Sequence, residues 1–337
     1  MSIKKLAEYL GLSKSTVSRA LNGYADVNSE TRDKVLKAAQ EIGYKANPTA
    51  KRLASGKSRN VGIILPANAH MFISPAFSKV LAGAAEFLAK HDYQLIVTTL
   101  FEWQDEQKVY LDFISSGLVD GLFIARTRGT DQRISLVQKH KFPCVCFGFD
   151  NYFDNDSFVD VDNKKAFYEM TKRQIERGHS FIAFLDAPIE LTLSQARKQG
   201  YLEAMHEAHL SIDQDWLLNG ELNEDAAMTM TKQVMSLNQR PTCILCADDT
   251  MALGTIAACE ALGYQAGVDV AIAGYGDYEH SRYTKPAITT LKYDTLAVGE
   301  SMAKLMLNKL EGSQFDTPNW YQAEIVVRQS DANVKVI

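Results

Sequence analysis

Beyond residue 60 the chain alternates between short apolar runs and amphipathic segments, and it does so in two successive series. Strand-like runs fall at 61–66, 93–99, 121–125 and 143–148, with helix-like segments near 76–91, 104–116 and 131–140 between them. A second set of runs follows at 181–185, 242–247 and 268–273, separated by helical patterns near 163–177, 194–209, 224–237 and 249–263. Strands that alternate with helices pair in parallel, because a parallel neighbour can only be reached through a crossover. The expected core is therefore α/β, with two doubly wound parallel-sheet lobes. Ligands in such sheets bind outside the carboxyl ends of the strands, which here places a ligand in the cleft between the lobes.

The first 60 residues follow a different pattern. Ile3, Leu6, Ala7 and Leu10 have helical spacing, and Gly11 stands where a helix C-cap is expected. Ser13 then caps a second helix from Lys14 to Leu21, with Val17, Ala20 and Leu21 as its apolar face. A third helix runs from a Ser29 cap to about Ile42, with Val35, Leu36, Ala39 and Ile42 turned inward. The first two helices and their glycine turn make a helix-turn-helix, and a generic three-helix bundle with a solvated face is the alternative. The segment holds 12 Lys and Arg against 5 Asp and Glu, a net of +7. The remainder holds 24 against 36, a net of −12. A basic module on an acidic body suits nucleic acid at one end only. Lys14, Ser15, Ser18 and Arg19 on the outer face of the second helix can donate hydrogen bonds to base edges in the major groove.

After the third helix, residues 47–56 read NPTAKRLASG: a cap residue, proline at the first helical position, one short helix and a glycine stop. Leu53 beside Lys51 and Arg52 fits an apolar wedge for the minor groove. A plain linker would not need it.

Other classes find little support. A length of 337 residues implies two to three domains. No apolar stretch approaches the roughly 18 residues of a membrane span, and the N-terminal lysines precede no long apolar run, so a cytoplasmic location is expected. Cys243 and Cys246 form a C-x-x-C within an apolar strand, where alternation sends the two sulfurs to opposite faces. Cys144 and Cys146 read as core. No metal and no cofactor is called for. The 7 histidines are scattered, and no G-x-S-x-G, phosphate loop or metal-spaced His/Glu cluster points to an enzyme.

The first 60 residues resemble the headpiece of the lactose-repressor (LacI/GalR) family in the block 6–13, in Thr16 through Gly23, and in Ile42-Gly43-Tyr44 and Asn47-Pro48 with Ala50 and Leu53. The resemblance continues through 119–122, 159–163, 197–201, 249–254 and 326–330. It implies a transcription regulator built from a headpiece at 1–46, a hinge helix at 47–57 and a two-lobed core at 58–337. Lobe 1 would take about 58–160 plus 290–320, and lobe 2 about 161–289 plus 321–337. Lys14, Ser15, Thr16, Ser18, Arg19 and Asn22 would face operator DNA, with Ala50 and Leu53 in the minor groove.

The effector would meet Arg197, whose alternative is a surface ion pair, and Phe77, whose alternative is a core residue. Asp248 would bind ligand while Asp249 caps the next helix. Asn68, Arg126, Asp162 and Asp277 are weaker candidates. Two departures stand out. Many members have an Asp where this chain has Gly276, and another where it has Gly148. The pattern around Phe147-Gly148 and 159–163 is similar to the α-glucoside and α-galactoside regulators. The expected partners are double-stranded operator DNA, a small sugar, and a second copy of the chain in a homodimer, with a tetramer as the alternative.

Overall fold

The computed structural model describes residues 3–21, 24, 26–43, 57–67, 74–149, 154 and 156–331. Contacts divide the chain into two compact units, Met1–Ser58 and Arg59–Ile337. The expected helix at 47–57 lies outside the described residues, apart from residue 57 at its end.

The first unit packs helices α1 (Ile3–Leu10), α2 (Lys14–Leu21) and α3 (Ser29–Glu41) around Leu6, Ala7, Val17, Ala20, Val35, Ala38 and Ala39. Ser13 caps α2 as expected, its hydroxyl accepting from Thr16 N at 3.0 Å. The third helix corrects two expectations. Its cap is Asn28, whose side chain accepts from Thr31 N at 2.7 Å, while Ser29 is already helical. Leu36 is 44% exposed. At about 100° per residue, Val35, Ala38, Ala39 and Ile42 share one face, and Leu36 lies a quarter-turn off it.

The second unit contains two six-stranded sheets. The first runs in the order β11-β5-β4-β3-β1-β2, from strands β1 (Asn60–Pro66), β2 (Gln94–Leu100), β3 (Gly121–Ala125), β4 (Cys144–Phe147), β5 (Phe158–Val161) and β11 (Trp320–Tyr321). The second runs β12-β10-β9-β8-β6-β7, from β6 (Ile182–Asp186), β7 (Leu217–Asn219), β8 (Cys243–Cys246), β9 (Ala271–Tyr275), β10 (Thr289–Lys292) and β12 (Glu324–Val326). Among the described residues, every pairing of these strands is parallel except β10 with β12. The chain thus crosses between lobes three times: after Val161, after Lys292, and between Tyr321 and Glu324.

Helices α4 (Pro75–Lys90), α5 (Glu106–Ser115), α6 (Gln132–Lys139) and α11 (Thr295–Glu311) accompany the first sheet. Helices α7 (Asn163–Glu176), α8 (Thr192–Glu207), α9 (Glu224–Met235) and α10 (Asp249–Ala261) accompany the second. The central strands β1, β3, β6, β8 and β9 are almost wholly buried, as strands covered on both faces must be. Cys243 and Cys246 do pack into different apolar clusters on opposite faces of β8. Burial pushes both thiols up, far from reactive thiolates. Among the described residues, no helix is long and apolar enough to cross a membrane.

Helix α11 reaches lobe 1 from late in the chain and lies closely on α4. A Cβ at Gly299 would stand 1.9 Å from the carbonyl oxygen of Val80, so only glycine permits this approach. Gly299→Ala is expected to force the helices apart and destabilise the core by about 1–3 kcal/mol, the usual range for overpacking. Urea unfolding of the two proteins checks this, and an unchanged midpoint contradicts it.

Candidate functional site

The carboxyl ends of the two parallel sheets face a cavity of about 440 Å³. Its wall takes Arg126 and Thr127 from the end of β3, Phe147 and Gly148 from β4, and Asp160 from β5. Asp248 follows β8, Tyr275 ends β9, and Tyr293 follows β10.

Arg197, on α8, is 5% exposed. Its guanidinium lies 4.4 Å from the ring centre of Tyr275 and 5.1 Å from that of Phe167. Nε donates to Asn163 Oδ1 at 2.9 Å, and Nη1 donates to Ala247 O at 3.1 Å. Asp186 lies 4.0 Å away. Asn163 in turn donates to Val161 O at 3.0 Å and to Asp160 Oδ1 at 3.3 Å. A buried cation is tolerable only when its donors are satisfied, and ring faces and oxygens meet that condition here. Arg197 therefore belongs to the cavity wall and not to a surface ion pair.

The acids around it are held back from ionising. Burial pushes Asp248 up to about 7 and Asp160 and Asp186 to about 6, with Arg197 pulling each of them partly back. Asp248 accepts from Met251 N at 2.8 Å and from Tyr278 OH at 3.4 Å. Asp248 is therefore the N-cap of α10 as well as a wall residue, and the cap role expected of Asp249 is corrected. Asp249 is fully buried and accepts from Ser281 OH at 2.6 Å, Thr290 OH at 2.6 Å and Tyr278 N at 2.8 Å. It ties the loop carrying Tyr278 to β10.

Phe77, in the first turn of α4, is 8% exposed and lines the cavity while also packing into the apolar core. Arg126 lines the cavity in a left-handed conformation, φ 53°, and burial lowers its pKa against the opposing charges of Glu221 and Glu190. Two candidates sit elsewhere. Asp162 caps α7, accepting from Lys165 N at 3.0 Å, and faces an outer groove with Trp320. Asp277 is paired with Arg328 and does not line the cavity, so it does not replace the acid missing at Gly276. Asn68 lies outside the described residues. Sequence reasoning missed Asn163, Tyr275, Tyr278 and Tyr293. The strand-end rule was the signal that could have found Tyr275 and Tyr293.

In the first unit, Lys14 and Ser15 are exposed, and Thr16 and Ser18 half-buried. Ser13, Ser15 and Thr16 share hydroxyl contacts of 2.7 and 2.8 Å. Arg19 is exposed but already paired, with Nη2 2.5 Å from Asp26 Oδ2 and its guanidinium 5.2 Å from the Tyr24 ring centre. Such exposed pairs contribute only about 0–1 kcal/mol, so Arg19 can exchange partners readily. Asn22, Ala50 and Leu53 lie outside the described residues.

A three-helix unit with a helix-turn-helix, followed in the chain by a two-lobed core with a polar and aromatic cavity at its strand ends, defines a ligand-sensing regulator architecture. Residues 2–47 match the family described as bacterial regulatory proteins, lacI family, and residues 171–330 match the periplasmic binding protein-like domain. The HTH-type transcriptional regulator AglR of Rhizobium meliloti is 33% identical over 98% of this chain and 94% of its own. The HTH-type transcriptional repressor PurR of Vibrio campbellii is 28% identical over 98% of each chain. The lac repressor dimer bound to operator and an anti-inducer has the same fold, with a TM-score of 0.82 at 22% identity over 98% of this chain and 99% of that one. The chain belongs to the lacI family of bacterial regulatory proteins. Its relatives are transcriptional regulators, not enzymes.

The raised acids set a pH dependence. A carboxyl whose pKa is higher in the folded state than in the unfolded state gives stability that is complete below about pH 4 and lost as pH rises through the folded value. For Asp248 that loss spans roughly pH 4 to 7, and Asp160 and Asp186 act in the same direction. Asp248→Asn keeps an acceptor for Met251 N and removes the ionisation. Its thermal midpoint is expected to gain on the wild type between pH 5 and 8, and a pH-independent difference contradicts the assignment.

Proposed function

We propose that this regulator is a repressor of carbohydrate-utilisation genes, controlled by a small sugar held between its lobes. The observation that carries the reading is the cavity itself. It joins the aromatic faces of Phe77, Tyr275 and Tyr293 to the charged and hydrogen-bonding groups of Arg126, Arg197, Asp160 and Asp248. A sugar presents an apolar face and a ring of hydroxyls, and needs both kinds of partner. A volume of about 440 Å³ suits a small ligand. That the Vibrio campbellii relative is a transcriptional repressor supports the direction of control. The effector is an α-glucoside or α-galactoside, the protein works in the cytoplasm as a homodimer, and the operator is pseudo-palindromic to match the two-fold pair.

DNA recognition falls to α2 of a headpiece spanning 1–46. Lys14, Ser15, Thr16, Ser18, Arg19 and Asn22 contact the major groove, and a hinge at 47–57 places Ala50 and Leu53 in the minor groove. The core takes 58–337.

A thermal-shift screen of mono- and disaccharides identifies the effector, because a ligand of the folded state raises the midpoint by mass action. With that sugar, Arg197→Ala is expected to abolish the change in operator affinity while leaving operator binding without sugar intact. A variant with unaltered dose dependence overturns the site. For the headpiece, Arg19→Ala is expected to cost about 1–3 kcal/mol at one base pair and to relax the preference there. Equal loss on every sequence makes Arg19 a phosphate contact instead.

A further inference from the structure

Between the loop after β3 and the first turn of α8, the two lobes touch directly. Thr192 N donates to Thr127 O at 2.9 Å, and the two hydroxyl oxygens are 2.6 Å apart. Arg128 and Leu191 form an antiparallel bridge, and Gly129 N donates to Glu190 O at 3.4 Å. Thr127 and Leu191 are buried in the contact, 1% and 3% exposed, while Thr192 is half-buried and Gly129 and Glu190 lie at its exposed edge. Thr127 faces the cavity, whereas Thr192 faces the outer groove of about 750 Å³ that holds Trp320 and Gln195. The pair is thus part of the partition between the two spaces.

Gly148 makes the contact possible. It has φ 126°, and a Cβ there would stand 2.3 Å from the Thr127 hydroxyl oxygen. Position 148 is therefore empty of side chain, and Thr127 occupies that room. Its hydroxyl turns across the cleft to Thr192.

We propose that Thr127 and Thr192 form a latch between the lobes, made possible by Gly148, which sets how much of the population has its lobes together. The latch rests on the cavity being the effector site only in what it regulates: a ligand that prefers the closed lobes binds more tightly when the latch already favours them. Every group in it is uncharged, so its strength does not follow salt as an ion pair would. On opening, each donor and acceptor passes to water, so the balance between the two arrangements is close and one hydroxyl shifts it.

Hydrogen exchange of the full chain without ligand tests the latch, read at the Thr192 amide, whose partner is on the other lobe. Thr127→Val and Thr192→Val preserve side-chain volume and the backbone acceptor. Each is expected to speed exchange at that amide about two- to tenfold, the range for one neutral hydrogen bond. Amides within β3 and β6 should keep their protection, and Thr127→Ser should restore the slow rate. Gly148→Ala is expected to act in the same direction but also strains its own backbone, so the threonine variants decide. Unchanged exchange in both valine variants overturns the latch.

Maltose and melibiose, an α-glucoside and an α-galactoside, separate the latch from the effector reading. Faster exchange with no thermal shift from either sugar supports the latch and counts against the sugar assignment. A thermal shift whose dose dependence is the same in wild type and Thr127→Val, with exchange also unchanged, overturns the latch and keeps the assignment.

Discussion

Burying a guanidinium costs several kcal/mol unless its surroundings replace water in detail. Arg197 is placed so that they do. Its partners come from four separate places: the first turns of α7, just after the crossing between lobes, through Asn163 and Phe167, the turn after β8 through Ala247, the end of β9 through Tyr275, and the end of β6 through Asp186. One side chain therefore fixes the relative positions of three strand ends and one crossing between lobes. The cavity owes its shape to that convergence. Removing the arginine would take from Asp248, Asp160 and Asp186 the cation that pulls each of them partly back toward ionisation.

The neighbouring pair Asp248 and Asp249 shows how position along a turn separates two identical side chains. Asp248 has extended backbone geometry at the head of α10, which points its carboxylate at the helix's free N–H groups and at the cavity. Asp249 is one residue further, inside the helix, and is turned toward β10 and the loop beyond β9. The first can meet a ligand. The second is consumed by three internal donors and holds Tyr278 against the wall.

Much of this was legible in the sequence, for reasons particular to each element. The central strands announced themselves as continuous apolar runs and the amphipathic helices by period, and the parallel topology followed from their alternation. Strands β5, β7, β10, β11 and β12 have two to four residues, too few to show a period, and they fall between stronger signals. The segment 326–330, marked by the resemblance alone, holds only the last residue of the C-terminal strand Glu324–Val326, and the following residues bond to 287–289 without forming a ladder. Arg197 and Asp248 were found by resemblance. Tyr275 closes the apolar run of β9 and reads in sequence as one more core residue. Asp162 and Asp277 were misplaced for one shared reason: each lies next to a strand end, but local hydrogen bonds or an ion pair turn the side chain away. Sequence spacing gives the strand end and not the rotamer.

The interleaved course of the chain bears on how the protein is made. The first sheet is complete only when β11 arrives, and α4 is covered only when α11 packs on it. About 200 residues separate Lys90 from Thr295. At a synthesis rate of about 5–20 residues per second, the apolar face of α4, with Val80 and Ala84, waits roughly 10–40 s for its partner. The three-helix unit has no such wait, since its core among the described residues lies within the first 42. A nascent chain thus carries a finished headpiece ahead of a half-built lobe. That interval is when the polypeptide is most exposed to aggregation and most in need of a chaperone.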